Sequence, residues 1–577
     1  MTCRDGALLL LAVSAWAQAP AQQAAPEVVS HQEAATFSSR VNLVSVPVVV
    51  RGKDGKAVGN LRQEDFTLTD KGRAQEITRF TVETAAAAAA PVSGSNGQDS
   101  ASAPALPQRF VAFLFDDVHI KPGDLLQARQ AMNRQLDQIL DGNTRAGIFT
   151  TSAATTRDFT KDAEKLHAAV NSIKPWERGL DKQRDCPYVS YYLADLLINQ
   201  DHSLSPGLSD QQVLGMIQTD QALNAVLQDA ETCLHSTNLQ EVLPQLRAAG
   251  QMALRFGMEE TKVSLNVMRD LVRSMSVLPG SRTILMVSPG FLLAADHRVN
   301  ENDVFDKAIR ANITMNTLDV RGVATPSGFE ANDKGYTSSA AAQLMQYDNA
   351  AASQAQDLLA EVASNTGGRF FHNDNGLEQG VKELAARPEY VYVLGFSPDS
   401  LKNDGSYHRL KVALKNGAGL SVDARRGYWA PNHAVGPAEE AKEELEDAVF
   451  SRDQMLDIPL KLHTEFFKQS EAKAQLAVET DIDLRRLKFK RVNDRNRDTL
   501  TVVTGLFDEN GRYVKGTETT LDMQLRDQTL ASAQASGMMK VAKSSFDIPP
   551  GRYIVRVVVR DQQGSSMAAE NEGVVIP

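Results

Sequence analysis

Four side chains that can hold a proton or a metal ion lie within nine consecutive residues: Asp116, Asp117, His119 and Asp124. They follow residues 110–115, an apolar run that is typical of a buried parallel strand. Carboxylates together with an imidazole can bind a transition metal, and the same groups can transfer protons during hydrolysis. The alternative is structural: Asp116 would accept hydrogen bonds from loop backbone groups, and Asp117 and His119 would be solvated loop residues.

The segments around this group alternate between strand and helix patterns. Strands are predicted at residues 110–115, 146–150, 282–288, 313–320, 368–371 and 390–396. Apolar spacings of three and four residues predict helices between them, and this order predicts an α/β fold with a mostly parallel sheet covered by helices on both faces. Ligands of open α/β sheets usually bind where the strands end, so the edge that carries Asp116 is the predicted functional edge.

A chain of 577 residues is too long for one hydrophobic core, so several domains are expected. A short apolar run followed by Ala15-Trp16-Ala17 is typical of a signal peptide. Alternating apolar residues predict β-strands on both sides of the α/β part, and those before it are too few for a core of their own and should pack against another part of the chain. The predicted order is a signal peptide at 1–17, a flexible leader at 18–36, an N-terminal β segment at 37–84, a linker at 85–107, the α/β domain at 108–431 with a helical insert at 176–279, a linker at 432–456 and a β-sandwich-like domain at 457–577.

The charge balance and the cysteine count narrow the class of protein. The formal net charge is −11 and Lys and Arg form no concentrated block, so a nucleic-acid partner is not expected. No later segment contains about 18 consecutive apolar residues, so no transmembrane helix is predicted. The signal peptide predicts export to the periplasm, the cell surface or the medium. In those compartments the two cysteines outside the signal, Cys186 and Cys233, predict a disulfide, with two buried free thiols as the alternative.

Several segments occur in the order found in von Willebrand factor type A (vWA) domains: FVAFLFDDVH, TRAGIFTTS, LPGSRTILMVSPGF, LDVRG and NTGGRFF. The lead-in VNLVSVPVVVRGKDGKAVGNLRQEDFTLTDKG and the closing segments EYVYVLGFSP, YHRLKVALK and VDARRGYWAP extend the likeness. Over residues 37–431 the chain resembles the vWFA-related proteins described from acidobacteria. This resemblance implies a Rossmann-type, vWA-like fold and an exported location, and it implies no activity.

The resemblance also implies a place for a metal, because vWA domains often hold Mg²⁺ or Mn²⁺ in a loop of pattern Asp-x-Ser-x-Ser, with a Thr and a later Asp. With Asp116 aligned to the first Asp, Val118 and Ile120 occupy the two Ser positions and offer no side-chain oxygen. The loop that should carry the later Asp reads SPG at 288–290, and the Thr cannot be placed. A degenerate site is therefore expected.

Three functions follow from these observations. The first is a non-enzymatic module that binds another protein, with no catalytic residue and no cofactor. The second is a metal-dependent hydrolase in which a divalent cation, Mg²⁺ or Mn²⁺, is held by Asp116, Asp117 and His119. The third is a structural component of the cell envelope. The sequence has no His-Glu-x-x-His zinc motif, no Gly-x-x-x-x-Gly-Lys-Ser/Thr phosphate-binding loop and no Gly-x-Ser-x-Gly elbow.

Signal-peptide cleavage tests the predicted export. We expect the exported protein to begin at Gln18, because Ala15 and Ala17 supply the small residues that signal peptidase requires. N-terminal sequencing of the protein recovered from the envelope or the medium measures this. Ala17→Leu should retain the leader, whereas Ala12→Leu should be processed normally, and an uncleaved protein confined to the cytoplasm would contradict the prediction.

Overall fold

The structure, a computed structural model, describes residues 27–35, 44–84, 109–176, 186–293, 298–323, 341–386, 388–396, 398, 406–430, 445, 448–450, 455–564 and 566–577. The strands of these residues are β1 (Val28–Ala34), β2 (Val44–Arg51), β3 (Phe66–Asp70), β4 (Arg73–Gln75), β5 (Arg79–Thr84), β6 (Arg109–Phe115), β7 (Thr144–Thr150), β8 (Thr156–Thr160), β9 (Ser281–Ser288), β10 (Ile313–Asp319), β11 (Phe370–Phe371), β12 (Tyr390–Phe396), β13 (Tyr407–Leu414), β14 (Ser421–Ala424), β15 (Gly427–Trp429), β16 (Met455–Leu456), β17 (Leu460–Ser470), β18 (Lys473–Asp483), β19 (Lys490–Val492), β20 (Arg495–Asp508), β21 (Tyr513–Leu525), β22 (Met538–Ile548), β23 (Gly551–Asp561) and β24 (Ser566–Ile576). The helices are α1 (Pro122–Ile139), α2 (Ala163–Ser172), α3 (Tyr191–Asp195), α4 (Asp210–Ile217), α5 (Gln221–Leu234), α6 (Leu239–Ser276), α7 (Arg298–Arg310), α8 (Ala341–Thr366), α9 (Leu377–Ala385) and α10 (Asp527–Ser536).

One mixed sheet lies in the middle of the chain, with strand order β11-β10-β9-β6-β7-β8. The pairs β11-β10, β10-β9, β9-β6 and β6-β7 are parallel, and β8 runs antiparallel to β7. All seven residues of the central strand β6 are buried. Its last residue, Phe115, is in register with Thr150 of β7 and Val287 of β9, so these strands end together at one edge.

Helices cover both faces of this sheet because successive side chains of a strand point to opposite sides. The odd-numbered apolar residues of β6 share a core with α1, α2 and α9, and the even-numbered residues share another with α6, α7 and α8. Helix α1 begins at Pro122, where the missing N–H costs no hydrogen bond. The chain between β6 and α1 is therefore short and fixed at both ends, and it carries the residues of the candidate site.

The N-terminal strands obtain a core from strands that follow residue 390. Strands β2 and β5 flank β12 in an antiparallel sheet of order β14-β2-β12-β5, and β3 pairs with β13 in a second sheet, β15-β13-β3-β4. Val46 and Val48 of β2 are fully buried and share a core with Phe66 and Tyr392. The prediction that the N-terminal β segment packs against another part of the chain is confirmed.

The C-terminal part has a sandwich-like arrangement of two antiparallel sheets. One sheet has the order β1-β21-β20-β23-β24-β16, with β19 paired to β20, and the other has the order β17-β18-β22. Leu476 and Phe546 of the smaller sheet share one buried core with Val502 and Val555 of the larger sheet. The predicted β-sandwich-like character of this part is confirmed.

The fold class predicted from the sequence, an α/β fold with a mostly parallel vWA-like sheet, is wrong. Among the residues that the structure describes, four of the five sheets are antiparallel throughout, and the remaining one is mixed because β8 runs antiparallel to β7. Strand β12 gives a physical reason. Its apolar run is typical of a buried parallel strand, yet Tyr392 and Leu394 pair antiparallel with β2 and β5. An apolar run indicates burial and contains no information on the direction of the neighbouring strands.

Several predicted segments lie outside the described residues: the signal peptide at 1–17, the linker at 85–107 and most of the linker at 432–456. Residues 28–34 fall within the stretch predicted as a flexible leader, and the structure instead forms β1 there, paired with β21 along its whole length. Among the helices that the structure describes, none is long and apolar enough to cross a membrane.

The mixed sheet and the sandwich meet at the edge where the parallel strands begin. Nη2 of Arg145 donates to the carbonyl oxygen of Glu509 over 2.9 Å, and the backbone N–H of Gly280 donates to the carbonyl oxygen of Phe450 over 3.1 Å. Arg145 is only 5% exposed, and burial lowers the pKa of its guanidinium. The sandwich is thus attached opposite the edge that carries Asp116.

Two carboxyl groups face each other inside the sandwich. Asp498 is 2% exposed and Asp561 is fully buried. The N–H of Thr499 donates to Asp498 over 2.7 Å, and the N–H of Gly564 donates to Asp561 over 2.7 Å. Burial, together with the charge and hydrogen bond of Asp561, raises the pKa of Asp498 to about 7. At neutral pH the pair therefore holds a proton for part of the time.

This pair predicts that the sandwich loses stability as pH rises. Because the folded protein binds the Asp498 proton more tightly, the stabilisation is complete below the ordinary pKa of 3.8 and is lost as pH rises through about 7. The free energy of unfolding should fall by about 2–4 kcal/mol across that range, measured by denaturant titration at several pH values. Asp498→Asn should flatten the profile. Asp494→Asn, at a side chain 99% exposed, should not; an unchanged profile in Asp498→Asn would contradict the assignment.

Candidate functional site

Parallel strands bring polar residues from distant parts of the chain to a single edge of the mixed sheet. Backbone pairing continues one residue past the strands, since the N–H of Asp116 donates to Val287 over 2.9 Å and the N–H of Thr151 donates to Phe115 over 2.9 Å. The polar residues at the ends of β6, β7, β9 and β10 are Asp116, Asp117, Thr151, Ser152, Ser288 and Asp319. We call this group the strand-end edge.

Asp116 is fully buried and has hydrogen bonds to both carboxylate oxygens. Oδ2 accepts from the hydroxyl of Ser288 over 2.6 Å, and Oδ1 accepts from the hydroxyl of Thr151 over 2.9 Å. Nδ1 of His119 lies 2.9 Å from Oδ1 and 3.1 Å from Oδ2. A buried carboxylate without such donors would cost several kcal/mol, so these contacts are a condition for burying Asp116.

Asp117 is 2% exposed and holds the loop after β7. Its Oδ1 accepts from the N–H of Ser152 over 2.9 Å and lies 3.1 Å from the hydroxyl of Thr151; its Oδ2 accepts a short hydrogen bond from the hydroxyl of Ser152. The carbonyl oxygen of Asp117 accepts from the N–H of Trp176 over 2.8 Å. The two adjacent carboxylates thus share the hydroxyl of Thr151, which lies between them.

His119 is a partly exposed member of this network, with 17% of its side chain exposed. Its ring stacks on Phe291, with 4.9 Å between centroids and 19° between planes. Since a carboxylate can only accept, the hydrogen of the neutral ring resides on Nδ1, facing Asp116. That contact and the stacking fix the orientation of the ring.

Asp116 and His119 stabilise each other's charged forms. Burial on its own raises the pKa of Asp116, but the charge and hydrogen bond of His119, with the hydroxyls of Ser288 and Thr151, outweigh burial and leave that pKa below its ordinary value. Burial also lowers the pKa of His119, and the charge and hydrogen bond of Asp116, with smaller contributions from Glu260 and Asp117, outweigh it and leave that pKa raised. The pair is an ion pair over a wide range of pH.

Strand β10, which pairs with β9, ends in another buried carboxylate whose charge is balanced by a neighbouring cation. Asp319 is 1% exposed and accepts two hydrogen bonds from the guanidinium of Arg321, over 2.9 Å from Nε and 2.8 Å from Nη2. Gln356 of α8 donates to the same carboxylate over 3.1 Å. Each buried carboxylate that the structure describes at this edge is therefore satisfied by neighbouring donors.

The structure brings together the three predicted metal ligands, Asp116, Asp117 and His119, but joins them by hydrogen bonds to one another or to shared hydroxyls. Those donors occupy oxygen positions that a cation would need. Ile120 is 4% exposed and packs in the core beside α1. Among the described residues, no group of three or more His, Cys, Asp or Glu side chains is arranged to hold a metal ion. A metal at this edge stays a prediction.

Sequence reasoning missed the two hydroxyl residues that donate to Asp116. Ser288 appears in the sequence as a loop serine, and the structure places its hydroxyl on Asp116. Thr151 follows β7, in the segment TRAGIFTTS, and stands next to Asp116 although 35 residues separate them in the chain. This proximity could have been predicted from the shared edge of the sheet. A hydroxyl residue at the end of one parallel strand lies beside a carboxylate at the end of the neighbouring strand. Asp124, the fourth residue of the predicted group, lies in the first turn of α1.

A disulfide joins Cys186 and Cys233, with 5.8 Å between their Cα atoms. Cys233 lies near the end of α5, and Cys186 lies just before α3. Helices α3 and α5 share a buried core that includes Leu193 and Val226. The cross-link therefore stabilises the helical segment that lies between β8 and β9 in the chain.

Comparisons with known proteins add little to this description. No protein-family model matches the chain, and no curated protein matches its sequence. Among solved structures, the chain is similar to a calcium-binding mutant of β-glucuronidase 2 from Bacteroides uniformis, with 11% identity and a TM-score of 0.13. The match covers 20% of this chain and 13% of that chain. A likeness of this size carries no argument about fold or function.

The ion pair predicts a pH-dependent effect of His119→Gln. Because the pKa of His119 is raised in the folded protein, its stabilisation is complete below the ordinary pKa of 6.5 and is lost as pH rises through the folded pKa. The variant should lose about 1–3 kcal/mol of unfolding free energy below that pKa, with a smaller loss at alkaline pH, measured by denaturant titration.

His167→Gln is the matched control, since His167 pairs with Asp137, whose side chain is 70% exposed. That variant should change the free energy of unfolding by about 0.5 kcal/mol or less. Equal losses for His119→Gln at every pH would show that the ring contributes packing alone.

Proposed function

We propose that this chain is an exported, non-enzymatic protein that binds another protein through the strand-end edge. The observation that carries the proposal is the closed hydrogen-bond network of that edge, in which Asp116 and Asp117 are buried and engaged by Thr151, Ser152 and Ser288. A nucleophile or general base needs a path to its substrate and a free position to receive a proton. Carboxylates engaged in this way hold loops in place instead.

The network favours recognition because it orders the loops that surround it. The hydroxyl of Ser288 accepts from the N–H of Gly290 over 2.8 Å while it donates to Asp116, which fixes the turn after β9. Ser152 accepts from the N–H of Ala154 over 3.1 Å, which fixes the turn after β7. Loops that are ordered before binding lose less conformational entropy when a partner docks.

The cysteine pair and the N-terminal sequence support the exported location in this proposal. A disulfide persists in oxidising compartments and is rare in reducing ones, and the pair Cys186 and Cys233 is formed here. The signal-like N-terminus favours the same location. A net charge of −11 is consistent with a protein partner rather than a nucleic acid.

A second candidate, a hydrolase, is favoured by one observation. His119 has its Nδ1 beside the buried carboxylate of Asp116, and 17% of its side chain is exposed. A histidine oriented by a buried carboxylate is the arrangement of a general base in many hydrolases. This candidate requires turnover, which the binding proposal excludes.

Substitutions on opposite edges of the mixed sheet test the proposed function. Ala154 is exposed in the loop after β7, and Ala154→Arg adds bulk to the strand-end edge without removing a network donor. Ala386, also exposed, follows Ala385, whose carbonyl oxygen accepts from Arg109 at the start of β6, so Ala386→Arg alters the opposite edge. Retention of the purified protein on isolated cell envelopes or on secreted proteins should fall about tenfold or more in Ala154→Arg and stay unchanged in Ala386→Arg.

Metal analysis and an ester assay on the same preparations separate the two candidates. If the binding proposal is right, the protein should not hydrolyse a model ester. Its metal content should also be the same with and without Asp116→Ala. Stoichiometric Mg²⁺ or Mn²⁺ that disappears in Asp116→Ala, together with ester hydrolysis, would establish the hydrolase. Equal retention of both arginine variants would contradict the strand-end edge as the binding surface.

A further inference from the structure

The two carboxyl groups of the sandwich lie on the face of the larger sheet that points into its core. Asp561, the last residue of β23, is paired with Leu500 of β20, and Leu500 belongs to the core between the two sheets. Side chains two residues apart on a strand point to the same face, so Asp498 lies diagonally across from Asp561. Asp498 is 2% exposed and Asp561 is fully buried. The fold therefore places two acidic side chains next to each other, away from water.

Backbone N–H groups match three of the four carboxylate oxygens. Oδ1 of Asp498 accepts from Thr499 over 2.7 Å. Oδ1 of Asp561 accepts from Gly564 over 2.7 Å, and its Oδ2 accepts from Lys488 over 3.3 Å. The fourth atom, Oδ2 of Asp498, is buried and accepts no hydrogen bond from the described residues. A buried acceptor without a donor costs free energy, so this atom requires a positive partner.

The influences on Asp498 within the described residues include no cationic side chain. Asp561 opposes its charge, and the groups that favour the charge belong to the uncharged backbone. The weakest of them is the backbone of Gln563, which makes no hydrogen bond to Oδ2. The buried carboxylate of Asp319 is different, because the guanidinium of Arg321 lies 2.8 Å away and balances it. The pair in the sandwich has a position for a cation from solution.

We propose that Asp498 and Asp561 are the side-chain ligands of a Ca²⁺ ion. Two carboxylates carry the charge that one divalent cation neutralises, and their oxygens are the ligands that a hard cation prefers. The described residues form no group of three His, Cys, Asp or Glu side chains, so backbone carbonyl oxygens and water complete the shell. This inference concerns the sandwich and does not depend on the proposed function.

The surroundings of the pair favour Ca²⁺ over Mg²⁺. Ca²⁺ accepts carboxylates and backbone carbonyls in flexible geometry, whereas Mg²⁺ keeps several of its waters, for which a buried site has little room. Gln562 and Gln563 directly follow Asp561 and are exposed. A cation therefore has to pass only this loop, and the core of the sandwich can stay folded while the ion binds.

Titration calorimetry on the full chain tests the site, after treatment with EDTA and dialysis. A pH of about 8 is chosen because protons compete least with the cation there. CaCl₂ should bind with one ion per chain, and MgCl₂ should bind about tenfold more weakly or not at all. Hydrogen exchange of β20 and β23, which carry the two ligands, should be several-fold slower with Ca²⁺ than with EDTA.

Asparagine variants separate a cation site from a purely structural pair. Asp498→Asn and Asp561→Asn should each abolish Ca²⁺ binding. In EDTA, Asp498→Asn should unfold at the same temperature as the unmodified protein or higher, because it removes a repulsion between like charges. Ca²⁺ should raise the unfolding temperature of the sandwich by about 5 °C or more in the unmodified protein and leave that of Asp498→Asn unchanged.

Asp494→Asn is the matched control. Its side chain is 99% exposed in the turn between β19 and β20, close in sequence to Asp498 but outside the site. This variant should bind Ca²⁺ with the same stoichiometry and affinity as the unmodified protein. Loss of binding in Asp494→Asn would show that the ion is held at the surface, and the proposed site would be wrong.

Three other results would overturn the inference. If Ca²⁺ gives neither heat nor protection from exchange up to about 10 mM, the pair is balanced by a shared proton alone. If Asp498→Asn binds Ca²⁺ as the unmodified protein does, the ion lies elsewhere on the chain. If binding is lost in Asp116→Ala and kept in Asp498→Asn, the metal belongs to the strand-end edge.

Discussion

Burial of the Asp116 carboxylate is the constraint on which the strand-end edge depends. An ionised group that is cut off from water must be matched by donors with good geometry, and here they come from Thr151, Ser288 and His119. Thr151 follows β7, Ser288 ends β9 and His119 lies between β6 and α1, so satisfying one carboxylate fixes three separate places at this edge. Residue types that usually indicate catalysis can therefore act together as a scaffold.

The same constraint explains how much of the candidate site could be predicted from the sequence. The apolar run of β6, the proline at the start of α1 and the position of Asp116 at a strand end follow from local patterns. The partners of Asp116 do not, because Ser288 lies 172 residues away and reaches it only through the register of β6 and β9. Local patterns indicate where a polar residue lies on its own element, and pairing between strands decides what it touches.

Pairing between strands is also why the fold class was wrong. The alternation of strands and helices describes the centre of the chain, and α1, α2 and α6 to α9 do cover the mixed sheet. The strands on either side of that sheet in the sequence find one another, as β2 does with β12, and build antiparallel sheets. An exposed strand such as β1 has no alternating pattern of apolar residues by which it could be predicted. It is held by backbone hydrogen bonds, which any sequence can form.

Arg145 makes the centre of the molecule and the sandwich harder to separate than their distinct cores suggest. Its guanidinium is buried, and one of its acceptors, the carbonyl oxygen of Glu509, belongs to the sandwich. A fragment ending before residue 455 would keep the cation and lose that acceptor, so the hydrogen bond between the two parts would be missing. Stability measured on such a fragment would understate that of the same residues in the intact chain, so free energies from the two halves would not add.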